Sequence, residues 1–351
     1  VEVDEEGVAV KRFAGILISI VAIFVIFKYT ETNLTWSVIS KARTDMLLLA
    51  LFLHSLFWFF WALRLRTLTA FIKKTVSYNY ALKTTIASTF LAAITPSSAG
   101  GEPLRVKMLG DKGIGVGSAS AVVLAERLLD AIFFIIALPV FLFLSGFSTK
   151  VGLEVGIIFA AFLVVFILFL YKLIRKPENA DRVLNRVFPG IKRFLGEEKA
   201  QRICKYIKKE IRMFSNAFVE LTGNSFKQIL VILLMTSAIW FSEFFVPSAI
   251  LLAFNHDPYI LFSLTSQLIL VILSLAPVTP GASGIAEAGM FYLYSRFVSG
   301  YTIGVLVAVW RVITYFSNLI AGFIVTAILL KTSLANKQKH IGVAEKNKQR
   351  F

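Results

Sequence analysis

Leu91-Ala92-Ala93-Ile94-Thr95-Pro96-Ser97-Ser98-Ala99-Gly100-Gly101-Glu102 closes one apolar segment of the chain, and Leu275-Ala276-Pro277-Val278-Thr279-Pro280-Gly281-Ala282-Ser283-Gly284-Ile285-Ala286-Glu287 closes another. A shift of 184 positions lays Thr95-Pro96 on Thr279-Pro280, Gly100 on Gly284 and Arg127 on Arg311, with Leu91 and Ala92 on Leu275 and Ala276. Identity across the window is low, so the weight rests on a Thr-Pro turn, a glycine and an intramembrane arginine that recur at one spacing without a gap. Glu102 and Glu287 fall one position out of register, which a different turn absorbs. The segments Asn79 to Ile94 and Ile260 to Ala276 run apolar up to the turn and resume as short helical stretches, which reads as two broken hairpins. Irregular backbone at membrane depth persists only where it is buried in protein or lines a wet cavity, so each hairpin is a candidate site. Three full spans, beginning at Ala119, Gly152 and Gln228, separate the copies, so the hairpins enter from opposite sides and the repeat is inverted. That is the pattern of alternating-access transporters, whose site lies where the repeats meet. The competing reading is that Pro and Gly are common in membrane helices anyway.

Composition places these hairpins in a bilayer. Of 351 residues 57% are hydrophobic and 17% charged, with a mean hydropathy of +0.75, far from the soluble average. No long polar block is left to fold as a soluble module, so residues 1–351 read as a single transmembrane domain, with repeat 1 over about 79–146, repeat 2 over about 260–330 and a cytoplasmic basic amphipathic segment over 175–225. The fold class is therefore an all-α polytopic helical membrane protein of about six full spans plus the two hairpins. The spans are Ala14 to Thr30, Met46 to Leu63, Ala119 to Gly146, Gly152 to Leu173, Gln228 to Phe254 and Tyr301 to Leu330. The first follows Lys11 and Arg12 but lacks a small-residue cleavage site, so it reads as a retained span. One Cys (Cys204) and three scattered His (His54, His256, His340) offer neither a disulfide framework nor a metal cluster, and no cofactor is expected.

The formal net charge of +16 fits a cytoplasmic face beside anionic leaflet lipids better than it fits nucleic acid. Lys11 and Arg12, Arg64 to Lys74, the block Lys172 to Arg212 and the tail from Lys331 all fall on one side, which makes both termini cytoplasmic in a cell-membrane protein. From Glu197 to Leu221, Ile203, Ile207, Ile211, Phe214, Phe218 and Leu221 recur at intervals of three and four among Arg202, Lys205, Lys208, Lys209 and Arg212. This basic amphipathic helix either packs on neighbouring loops or lies on the anionic leaflet.

Charges inside spans are costly, about 2.5 to 3.5 kcal/mol each at mid-membrane on insertion scales, unless paired or wet. Glu126, Arg127 and Asp130 share one span, with the two acids on one face. Arg311 begins a polar stripe with Tyr315 and Asn318. Either the arginines only hold helices together as ion pairs, or they bind an anionic group, for which the guanidinium fork and nearby helix starts are suited. Glu243 reads equally as a structural partner or a proton site, His54 with Trp58 and Trp61 as a packed histidine, and Gly113 to Gly117 as a flexible turn. No nucleotide loop, catalytic triad or metal motif is present.

Ile94 to Arg105, then Leu124-Ala125-Glu126-Arg127-Leu128-Leu129-Asp130, then Pro277 to Ala288 together resemble the lysylphosphatidylglycerol synthase transmembrane-region family, also called the flippase-like family, over about Lys11 to Leu330. The resemblance implies an all-helical membrane fold and, as in characterised bacterial members, translocation of modified phospholipids between leaflets. Only some twenty residues follow the last span, so no aminoacyl-transferase domain is expected and the chain is read as a non-enzyme. Ser97-Ser98 also stand where many relatives carry glycines. The resulting expectation is a flippase-like transporter of an anionic or glycan-linked lipid, with no nucleic-acid partner and with room for an oligomer. Its phosphate-bearing headgroup would meet Arg127, Arg311, Glu102, Glu287, Asp130, Glu126, Thr95, Pro96, Gly100, Thr279, Pro280 and Gly284. The alternatives are a membrane-embedded transferase using Glu102, Glu287 or Asp130 as base, and a non-catalytic partner of an envelope enzyme.

Overall fold

The computed structural model describes residues 33–95, 100–146, 150–175, 196–223, 225–275, 279, 282–329 and 331–332, with isolated positions at 20, 21, 23–25, 28, 188, 189, 192 and 193. Most of the expected first span and both hairpin prolines, Pro96 and Pro280, lie outside them. Every regular element among the described residues is a helix. In order they are α1 (Asn33–Ser40), α2 (Thr44–Phe71), α3 (Tyr78–Ile94), α4 (Gly101–Gly110), α5 (Val116–Ser145), α6 (Lys150–Arg175), α7 (Glu197–Thr222), α8 (Phe226–Phe244), α9 (Val246–Ala253), α10 (Ile260–Ser274), α11 (Ile285–Tyr294) and α12 (Gly300–Leu329). By length and composition α2, α5, α12 and the run Phe226–Ala253 can each cross a membrane. Pro247 stands in the first turn of α9, where a missing N–H costs nothing, so α8 and α9 form one span with a local break. The chain is thus an all-α polytopic membrane protein.

The first difference from the sequence reading is at the end of α2. The expected span stops at Leu63, where charge begins, but the helix continues to Phe71 and buries Arg64, Leu65, Leu68 and Thr69. Arg64 is therefore not one of the surface cations that mark the cytoplasmic side. Its charge is met inside the protein, and the backbone has no reason to end there.

Both broken segments fold back on themselves. The Tyr80 hydroxyl near the start of α3 donates to the Met108 carbonyl near the end of α4 at 2.6 Å, and Arg105 Nη2 reaches Ser88 Oγ at 2.8 Å. In the second hairpin the hydroxyls of Ser263 and Tyr294, at the open ends of α10 and α11, are 2.7 Å apart, and Gln267 Nε2 donates to Tyr294 at 3.1 Å. The ten-residue legs α4 and α11 are about 15 Å long against a hydrocarbon core of about 30 Å, so they return rather than cross. The mouth of the first hairpin adjoins the N-terminal end of α5, five residues on from α4. The mouth of the second adjoins its C-terminal end, where Thr265 Oγ1 lies 3.2 Å from Ser145 Oγ. One helix thus has the two hairpins opening at its opposite ends, which is the inverted arrangement.

A close approach holds α7 onto the bundle. A Cβ at Gly117 would lie 2.0 Å from the Glu210 carbonyl oxygen, and the Gly117 N–H donates to the Glu210 carboxylate at 2.6 Å. The run from Gly113 to Gly117 is accordingly not one flexible turn: Gly113 takes the left-handed conformation that the turn needs, while Gly117 belongs to α5 and makes room for α7. Two larger apolar clusters, with a small third around Ala93, Tyr315 and Leu319, fill the bundle among the described residues. One gathers Phe57, Trp61, Phe134 and Trp240, and the other Ala62, Leu65, Val122 and Leu221. The charged side chains of α2 and α5 lie along the helices where these clusters meet.

Candidate functional site

A cavity of about 370 Å³ lies between the hairpins. Hairpin one contributes Ser88, Gly101, Glu102 and Arg105 to its wall, and hairpin two Gln267, Ser274 and Ala286. Arg127 of α5, Glu243 of α8 and Trp310, Arg311 and Asn318 of α12 complete the polar lining. The structure therefore brings Arg127, Arg311 and Glu102 onto one surface.

Behind that surface runs a buried ion-pair layer. Arg64 Nη1 donates to Asp130 Oδ1 at 2.6 Å and to Thr236 Oγ1 at 3.1 Å, and its Nε is 3.6 Å from Glu126 Oε1. Glu126 accepts from Trp61 Nε1 and from Arg105 Nη1, each at 2.9 Å. Asp130 accepts from Trp240 Nε1 at 2.9 Å. Arg127 stands at the outer edge, 3.5 Å from Asp130 and 3.7 Å from Glu102, with a third of its side chain exposed. The Trp61 ring has the guanidinium carbons of Arg105, Arg127 and Arg64 4.6, 5.1 and 5.9 Å from its centre, so one indole both donates to the acid and meets three cations.

The second arginine is built differently. Arg311 Nε lies 2.8 Å from Glu287 Oε1, and the other Glu287 oxygen accepts from the Gly284 N–H at 2.6 Å, which fixes the acid at the start of α11. Immediately after Arg311 the helix widens into a π turn, Val312–Phe316, a feature frequent at functional sites. Tyr315 then lies beneath the guanidinium, 4.9 Å from its carbon, and donates to the Ala93 carbonyl of hairpin one at 3.3 Å. Asn318 accepts from Trp58 Nε1 at 2.8 Å. Among the buried donors of the lining residues that have no hydrogen-bond partner are Arg311 Nη2 and Trp310 Nε1.

Pro96 and Pro280 lie outside the described residues, and the remaining expected residues stand off the cavity wall. Thr95 bonds the Leu91 carbonyl at 2.6 Å and receives the Gly100 N–H at 3.0 Å, and Thr279 donates to the Ser283 carbonyl at 2.7 Å. Both threonines thereby close hairpin tips. Gly100 and Gly284 cap the second legs, Gly284 with a positive φ. Glu126, Asp130 and Glu287 stand behind the arginines. Arg64, Arg105, Trp61 and Trp240 are partners that the sequence reading missed. One signal was available: Arg64 continues the helical stripe of His54 and Trp61. A further pair joins residues 189 positions apart, with His54 Nδ1 2.7 Å from Glu243 Oε2.

Residues 12–322 match the family described as Lysylphosphatidylglycerol synthase TM region. A relative from Archaeoglobus fulgidus, described as a UPF0104 membrane protein, is 46% identical over 325 residues, covering 92% of this chain and 99% of the relative.

Proposed function

This chain belongs to the Lysylphosphatidylglycerol synthase TM region family, and on that footing we propose that it is a flippase-like transporter moving an anionic or glycan-linked lipid between leaflets. The headgroup occupies the cavity between the hairpins while the acyl tails stay in the bilayer. The observation that carries this reading is a pair of buried donors on residues that line the cavity, Arg311 Nη2 and Trp310 Nε1, that have no acceptor. An unpaired buried donor costs about 1 to 3 kcal/mol, and an anionic oxygen placed against either one relieves that cost. Arg127, partly exposed on the same cavity, offers a second guanidinium. The fork of each suits phosphate.

Two further features support transport rather than static binding. The hairpins open toward opposite ends of α5, as alternating access from two sides requires. The cavity is of a size that suits a polar headgroup. Orientation follows from charge: Lys73, Lys74, Lys107, Lys112, Lys205 and Lys209 are exposed around the end of the bundle where α5 begins. That end is assigned to the cytoplasmic side of a cell membrane, the side to which the charge rule also assigns both termini, with α7 against anionic lipid.

The test uses Arg127→Lys and Arg311→Lys, which keep charge but lose the fork. Liposomes carrying fluorescent lipids of several headgroups report binding and transport, and thermal unfolding of the same preparations reports stability. Both variants are expected to fold as the parent does while binding a phosphate-headed lipid about tenfold more weakly, or about 1.4 kcal/mol. Full activity in both, or a loss that merely tracks unfolding, would sink the headgroup site.

A further inference from the structure

The reading of the cavity as a headgroup site leaves one question of charge. Four guanidiniums line it or stand directly behind it, those of Arg64, Arg105, Arg127 and Arg311. Five carboxylates accompany them, those of Glu102, Glu126, Asp130, Glu287 and Glu243. The first four acids each stand within 4 Å of at least one of these arginines. Among the described residues, Glu243 is the cavity carboxylate whose basic partner is an imidazole, that of His54.

His54 is completely buried on α2, packed against Phe57 and the edge of Trp58. Its Nδ1 faces Glu243, while its Nε2 is buried without a partner. An imidazolium carries two N–H donors and would leave one of them unmet; the neutral ring with its proton on Nδ1 leaves only an acceptor unmet. The site therefore suits a neutral histidine that donates to Glu243 and holds it in place. With His54 neutral and all five acids ionised, the group carries one net negative charge, and an arriving phosphate adds a second in a place where like charges oppose one another.

We infer that Glu243 is a proton-binding site on the cavity wall, filled when an anionic headgroup binds, so that lipid and proton travel together. This inference rests on the headgroup reading above and deepens it by naming an energy source, a proton gradient. His54 is the positioning residue and Glu243 the carrier. The other titratable or charged groups facing this space each have an arginine or carboxylate within 4 Å or a hydrogen-bond partner: Glu102 and Arg105 from the first hairpin, Glu126, Arg127 and Asp130 from α5, Arg64 from α2, Glu287 from the second hairpin and Arg311 with Tyr315 from α12. Glu243, 18% exposed in its side chain, borders the cavity as Glu102 does, but has no arginine paired with it among the described residues.

The experiment titrates short-chain phosphatidylglycerol into the purified full-length protein in detergent with little buffer, reading lipid binding and proton uptake together. The wild type is expected to take up about one proton per lipid bound, and its affinity to fall about tenfold for each unit that the pH is raised, as linkage to one proton dictates. Glu243→Gln, an isosteric stand-in for the protonated acid that still accepts from His54, is expected to bind the lipid with no proton uptake and a flat pH profile. Binding by the wild type without proton uptake, or an unchanged pH slope in Glu243→Gln, overturns the coupling while the headgroup site stands. No binding of phosphatidylglycerol by a wild type that is folded by thermal unfolding overturns the headgroup reading itself, and the coupling with it.

Discussion

Arg64 shows how a single side chain can decide whether a charged layer is tolerable in a membrane. It is completely buried and shared between Asp130 and Glu126, and its Nη1 also reaches Thr236. Removing one partner of such a layer leaves charge uncompensated in a low-dielectric interior. Arg64→Leu is therefore expected to destabilise the fold by about 3 to 5 kcal/mol. Arg127→Leu is expected to cost about 1 kcal/mol, because Arg127 is partly exposed and Asp130 keeps both Arg64 and Trp240. Thermal unfolding of the two variants side by side checks the order, and an equal loss in both would contradict the division into a buried structural arginine and a cavity arginine. The spacing of Glu126, Arg127 and Asp130 was readable from sequence, since it follows from helix geometry alone. The partners of the acids were not. Hydropathy ends a span where charge begins, so Arg64 was assigned to the cytoplasmic surface, and the link from Glu126 to Arg105 depends on how the first hairpin folds back. The pairing of His54 with Glu243 was hidden for the same reason, since it needs the packing of α2 against α8.

At the scale of elements, α7 was legible as a helix because its apolar residues recur at helical intervals, but periodicity does not say what the apolar stripe covers. The structure answers that in part: Cys204, Ser215, Ala217 and Leu221 are buried, and the helix crosses the start of α5 at Gly117. A run of glycines reads locally as a turn, and only the approach of a second helix shows that one of them is there for lack of a side chain. Gly117→Ala would place a methyl 2.0 Å from the Glu210 carbonyl, so α7 must shift. Overpacking of this kind typically costs about 1 to 3 kcal/mol. The expected result is a lower unfolding midpoint together with faster proteolysis within α7; an unchanged midpoint and protection would show that α7 is not held there. The hairpins were legible for a different reason. Thr-Pro followed by glycine breaks a helix wherever it occurs, and the same break at one spacing in two places marked both tips. What the tips do was less legible, because Thr95 and Thr279 turn their hydroxyls inward to close them.

For the molecule as a whole, inversion was the reading with the widest consequences, because it places the two hairpins on opposite sides of a shared cavity. In the structure it rests on contacts rather than on counting spans. The first hairpin opens beside the N-terminal end of α5, while Thr265 near the mouth of the second reaches Ser145 at its far end. A helix of 30 residues is about 45 Å long, which exceeds the hydrocarbon thickness, so its two ends belong to opposite faces of the membrane. Lys112, just beyond α4, and Arg296, just beyond α11, are both exposed at these mouths. Single cysteines at Lys112 and at Arg296, in a chain whose buried Cys204 is replaced by serine, therefore test the inversion directly. In sealed vesicles of one orientation, a membrane-impermeant maleimide is expected to label one position from outside and the other only after the vesicles are opened. Labelling of both from the same side would place the hairpin mouths on one face, and two-sided access to a common cavity would fall with it.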